Sequence, residues 1–141
     1  MAKLICSLIG DSVLHVASGL RVMPRSYHEI YFVLCHRVEL PPACCPVSKN
    51  PRAGSTLSLR YTPENSTLEV YSLRSLLNRF VGGYPGSECG TYPPERNMEG
   101  MVQLVAQMAA DALQVSVRFR SVILLDTGEF RITGFAEPRS E

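Results

Sequence analysis

The chain has no apolar run of the ~18 residues that a membrane-spanning helix needs, which excludes one. It has no excess of either charge: 14 Lys and Arg stand against 13 Asp and Glu, a formal net charge of +1. That balance excludes a protein that holds nucleic acid mainly by bulk charge, but it leaves room for a local basic patch. With 45% apolar and 19% charged residues, the chain also lacks the signature of disorder. No C-x-x-C or H-x-x-x-H pair is present, so no zinc spacing is visible and no metal is expected. Repeats, low-complexity tracts and interdomain linkers are missing too. The expectation for 141 residues is a single domain spanning 1–141.

Five cysteines are present, an odd number. The apolar start, Met1 to Gly10, is interrupted at Asp11 and reads as a strand, not a signal peptide. A reducing, cytoplasmic setting without a disulfide framework is therefore expected. Cys6 and Cys35 lie in apolar runs and read as small buried hydrophobes. Cys44, Cys45 and Cys89 lie among prolines and glycines, where thiols are expected to be exposed. A metal site drawn from His36, Cys44 and Cys89 lacks any supporting spacing.

Periodicity gives the order of elements. Lys3–Gly10 and Ser12–Ala17 read as weak strands. From His28 to Leu40 the apolar residues Ile30, Phe32, Leu34, Val38 and Leu40 share one parity, which predicts a long strand. His36 shares that parity, as a satisfied core or interface histidine or as a catalytic one. Pro41, Pro42 and Pro46 break regular structure, and a loop runs to Gly54. Ser55–Thr62 alternates with Leu57, Leu59 and Tyr61 inward, and Thr67–Tyr71 reads as extended. Leu73, Leu76, Leu77, Phe80 and Val81 form a helical stripe, with Ser72 as N-cap and Gly82-Gly83 as stop. Tyr84–Arg96 is a long loop. Asn97 can cap a second helix with Met101, Leu104, Val105, Met108 and Ala112 inward. Gln114–Leu125 and Glu129–Phe135 form a hairpin around Asp126-Thr127-Gly128. The class implied is α+β, with both helices on one face of an antiparallel sheet.

The candidate chemistry lies in Cys45-Pro46-Val47-Ser48-Lys49-Asn50-Pro51-Arg52. Prolines stiffen the loop, and Lys49 or Arg52 near the sulfur would favour the thiolate, the nucleophilic form. The longer stretch Val38 to Lys49 resembles the entry to the nucleophile loop of the QueF family, which acts on the nitrile of 7-cyano-7-deazaguanine. The resemblance continues through Ser58-Leu59-Arg60-Tyr61-Thr62-Pro63, Leu68-Glu69-Val70-Tyr71-Ser72-Leu73 and Phe80 to Met98-Glu99, where the family shows His-Glu. It covers about half of the chain.

The resemblance implies a tunnelling fold in pentameric rings, often stacked as decamers, with active sites between subunits. It implies Cys45 as nucleophile, Glu99 as the carboxylate reading the guanine-like edge, and Glu69 and Ser72 as further pocket positions. The reductase branch resembles E-S-K-S-x-K, whose lysines serve NADPH; here Tyr71 and Arg74 replace them, so hydride transfer and a nicotinamide cofactor are not expected. The Cys45-to-Lys49 form, with Ser48 and Lys49 on the substrate side, looks more like the archaeosine synthases. Those convert the nitrile in tRNA to a formamidine without a redox cofactor. The partners implied are a 7-cyano-7-deazaguanine base in tRNA or DNA, a source of ammonia, and further copies of the chain. Hydration to the 7-amido base, and non-catalytic binding of a deazapurine, are the alternatives.

One departure stands out. The family places a proton-handling aspartate seven residues after its cysteine, and this chain has Arg52, which cannot shuttle a proton but can stabilise a thiolate or bind phosphate. Glu88, Glu95 or water is left to supply the proton, and Cys44 is an alternative nucleophile. Arg118, Arg120 and Arg131 share the polar parity of the terminal hairpin, as a solvated face or as a surface for a nucleic-acid backbone.

Overall fold

The computed structural model describes residues 19–26, 29–42, 44, 49–81 and 98–139. The strands are β1 (Val22–Pro24), β2 (Leu34–Glu39), β3 (Thr56–Tyr61), β4 (Ser66–Leu68), β5 (Val117–Leu124) and β6 (Glu129–Ala136). The helices, α1 (Val70–Asn78) and α2 (Met98–Leu113), fall between β4 and β5. The class is α+β: a four-stranded antiparallel sheet, ordered β2-β3-β5-β6, carries the two helices, while β1 and β4 pair separately.

Alternation explains why one face is covered. Leu57, Leu59 and Tyr61 of β3 and Val117, Phe119 and Ile123 of β5 are buried, and their intervening neighbours turn away. Leu73, Leu76, Leu77 and Phe80 from α1, and Met101, Val102, Val105 and Ala109 from α2, complete the core. On β6, Gly134 lies opposite Phe119, where a Cβ would come within 2.9 Å of the ring, so the aromatic lies over bare backbone.

Several expectations are corrected. The long strand begins only at Leu34, because Leu34 pairs with Tyr61 at the end of β3 and residues 30–33 find no strand partner. Ile30, Tyr31 and Val33 are exposed. The two cysteines trade places: Cys35 is exposed, on the parity of Arg37 and Glu39, whereas Cys44 is buried and donates to the Pro41 carbonyl at 3.2 Å. Helix α1 starts one turn before Ser72, so Val70 and Tyr71 are helical instead of extended, and Glu69 is the N-cap. Val81 is exposed, because α1 ends at Asn78 with Arg79 as C-cap. Ala112 faces solvent, and Val102, Ala106, Ala109 and Leu113 join the expected Met101, Val105 and Met108 on the inner side of α2. The final hairpin is narrower at its start than expected and runs on to Ala136. The expected strands Lys3–Gly10 and Ser12–Ala17, Cys6, the Gly82-Gly83 stop, the loop Tyr84–Arg96 and the Asn97 cap lie outside the described residues.

His36 is a satisfied histidine. Its ring stacks on Tyr61 at 5.6 Å between centroids, and its Nε2 is 2.9 Å from the Tyr61 hydroxyl. That hydroxyl also accepts the Leu68 N–H at 2.8 Å, so it ties β4 to the histidine. Burial pushes the His36 pKa below its ordinary value. Among the described residues no helix is long and apolar enough to cross a membrane.

Candidate functional site

The loop from β2 to β3 carries the candidate nucleophile. Its base is closed by the Leu40 N–H donating to the Ser55 carbonyl at 2.8 Å. Cys45 and Ser48 lie outside the described residues, as do Glu88, Glu95 and Cys89. The returning limb is described from Lys49 onward. Lys49 is exposed with φ of 62°, a left-handed conformation that costs a non-glycine residue about 1 kcal/mol. Gly54, with φ of 96°, lets the chain turn back against the side chain of Leu124.

Arg52 is the anchor of this limb. Its N–H donates to the Leu124 carbonyl at 2.8 Å, joining the loop to the end of β5. Ser55, fully buried, completes the junction: its hydroxyl donates to the Arg52 carbonyl and accepts the Leu124 N–H, both at 2.8 Å. The Arg52 guanidinium lies 3.5 Å from the Asp126 carboxylate, in the β5–β6 turn. An acid is thus brought to the residue that stands where the resemblance leads one to expect aspartate. Sequence spacing gave no hint of this pairing, since the two residues lie on separate turns.

Glu69 and Ser72 are brought together at the start of α1. The Glu69 carboxylate accepts the Ser72 N–H, and the Ser72 hydroxyl donates to the Glu69 carbonyl at 2.8 Å while accepting the Arg21 N–H at 2.8 Å. The Arg21 guanidinium lies 3.6 Å from the same carboxylate. The bond from the Ser72 backbone, more than the Arg21 charge, holds the Glu69 pKa below the usual carboxylate range. Both side chains therefore hold a helix terminus to the segment entering β1. Glu99 is exposed in the first turn of α2, where the helix dipole favours a carboxylate.

Arg118, Arg120 and Arg131 are all exposed on the helix-free face of the sheet, and Arg131 lies 3.4 Å from Glu129. Buried Arg25 passed unnoticed in the sequence: its Nη1 donates to the Pro63 and Glu64 carbonyls, and its other nitrogen to that of Ile30. Its guanidinium lies over Phe32, 5.4 Å from the ring centre. Among the described residues no three His, Cys, Asp or Glu side chains gather as a metal site would require. Neither a scan against protein-family models nor a search of curated proteins found a match to the chain.

Proposed function

We propose that the chain is a QueF-like enzyme that modifies the nitrile of a 7-cyano-7-deazaguanine base held in nucleic acid. The Cys45 thiolate adds to the nitrile carbon and a proton reaches the nitrogen, giving a thioimide. Ammonia then adds to that carbon and expels the thiolate, leaving a formamidine. The observation that carries the reading is topological. The sheet runs β2-β3-β5-β6 with both helices inserted between β3 and β5 on one face, and the candidate loop joins β2 to β3. That is the order the tunnelling fold has in the family the sequence resembles.

Burial of Cys44 supports Cys45 as the nucleophile, since a thiol bonded to the Pro41 carbonyl is poorly placed to attack. Glu99, exposed at a helix start, suits adjacent N–H donors on a guanine-like edge. Asp126 takes the proton-handling role, with Arg52 orienting its carboxylate. The exposed apolar residues Ile30, Tyr31 and Val33 beside β2 support assembly of several copies, because a second copy would remove them from water.

The test is intact-mass analysis after incubation with the nitrile base, free and within tRNA or DNA. Wild type gains an adduct, Cys45→Ala gains none, and amidine forms only with ammonium. Asp126→Asn still binds the base but turns over about 100-fold more slowly. Water addition without ammonium would support hydration instead. A wild type that forms no adduct while it and Cys45→Ala bind the base equally would leave only a binding protein.

A further inference from the structure

We infer that the helix-free face of the sheet docks a single-stranded nucleic acid, gripping its phosphates with Arg37, Arg60, Arg118 and Arg120 and stacking a base on Phe135. This goes beyond the nitrile chemistry and stands without it.

The strand register assembles the patch. One row across the sheet reads Cys35, Arg60, Arg118, Phe135, and the next reads Arg37, Ser58, Arg120, Thr133. All four arginines are exposed, and neither row contains a carboxylate. Among the described residues none of the four arginines forms an ion pair, whereas Arg21, Arg52, Arg131 and Arg139 each do. The acids of this face, Glu39 and Glu129, lie in the rows beyond, so charge is segregated toward one end. Arg60 and Arg118 are directly opposite one another, a like-charge pair that disfavours the sheet. A bound anion turns that repulsion into shared attraction.

The spacing selects the partner. Opposed positions are about 5 Å apart, and alternate positions along a strand about 7 Å. Arg37 and Arg120 are two strands apart, so no single small anion spans the set, but successive phosphates of one chain do. Arginine forks suit phosphate oxygens. Arg60 and Arg118 also stand between two shallow depressions of about 540 and 460 Å³. Phe135, 65% exposed, closes the first row beside Arg118. An exposed ring next to guanidinium groups is a stacking platform for unpaired bases.

The test uses fluorescein-labelled DNA and RNA strands of about twenty unmodified nucleotides, read by anisotropy with the full chain. At about 50 mM salt, wild type binds in the micromolar range, with log affinity falling against log salt at a slope near −3 for four contacts. Arg60→Ala/Arg118→Ala weakens binding tenfold or more and brings the slope to about −1.4, while keeping or raising the melting temperature. Arg118→Lys keeps the slope, and Phe135→Ala loses about fivefold. Arg79→Ala, at the C-cap of α1, stays within about twofold. The labelled strands carry no nitrile base, which separates this surface from the chemistry of the loop. No binding by wild type, an unchanged double variant, an equal loss in Arg79→Ala, or binding to phosphatidylserine vesicles in place of oligonucleotides would each overturn the inference.

Discussion

Ser55→Ala is the substitution that most directly probes how the loop between β2 and β3 is held. The Ser55 hydroxyl makes two hydrogen bonds in a fully buried site, and their loss is unequal. The Arg52 carbonyl keeps the Ser55 N–H at 3.3 Å as a second donor, but the hydroxyl is the acceptor for the Leu124 N–H. Leaving that buried donor unpaired costs about 2 kcal/mol. With a urea slope near ~2 kcal/mol/M, the unfolding midpoint falls by about 1 M at constant slope. Ser121→Ala is the internal comparison. That hydroxyl donates to the Thr56 carbonyl at 2.8 Å, and a carbonyl short of one partner is better tolerated than an orphaned N–H. Its cost is about 1 kcal/mol. Amide exchange at Arg52 and Leu124 also quickens in Ser55→Ala, because their junction loses its filler. A midpoint shift below about 0.3 M, or a larger loss in Ser121→Ala, would refute the reasoning.

Gly134→Ala pushes a methyl into the Phe119 ring and destabilises by about 1–2 kcal/mol, measurable by thermal unfolding. The lowered His36 pKa makes stability depend on pH: below about 6.5 the unfolded chain binds the extra proton, so stability falls as pH falls, and His36→Gln flattens that part of the profile. Asp111→Asn loosens the tail from α2, since the Asp111 carboxylate accepts from the Arg139 backbone at 2.9 Å and from its guanidinium at 2.6 Å. Burial pushes this carboxyl up, but those bonds leave its pKa low. Global stability drops by less than about 1 kcal/mol, while proteolysis near residue 137 accelerates.

Local pattern carried the elements whose neighbours are near in sequence. Leu57, Leu59 and Tyr61 alternate because one face of β3 is covered, and the α1 stripe repeats because one side of that helix is. Cys35 shows where a signal was present and outweighed: its parity matched Arg37 and Glu39, but the surrounding apolar run suggested burial. Residues 30–33 carry strand composition yet end beyond the register of β3, and no sequence window contains that limit. At α1, a serine has the better capping propensity, but Glu69 reaches the Ser72 N–H and sets the boundary one turn earlier. The pairing of Arg52 with Asp126, and of Arg60 with Arg118, exists only after distant strands align.

The placement of both helices between the two central strands has a kinetic consequence. Ser121 meets the Thr56 carbonyl across 65 residues of chain, whereas β2–β3 and β5–β6 each close over short distances. Each hairpin therefore forms early, and the seam between β3 and β5 closes last, after the entropy of a long loop has been overcome. Until then two half-sheets expose their unpaired edges, so refolding yield falls as protein concentration rises.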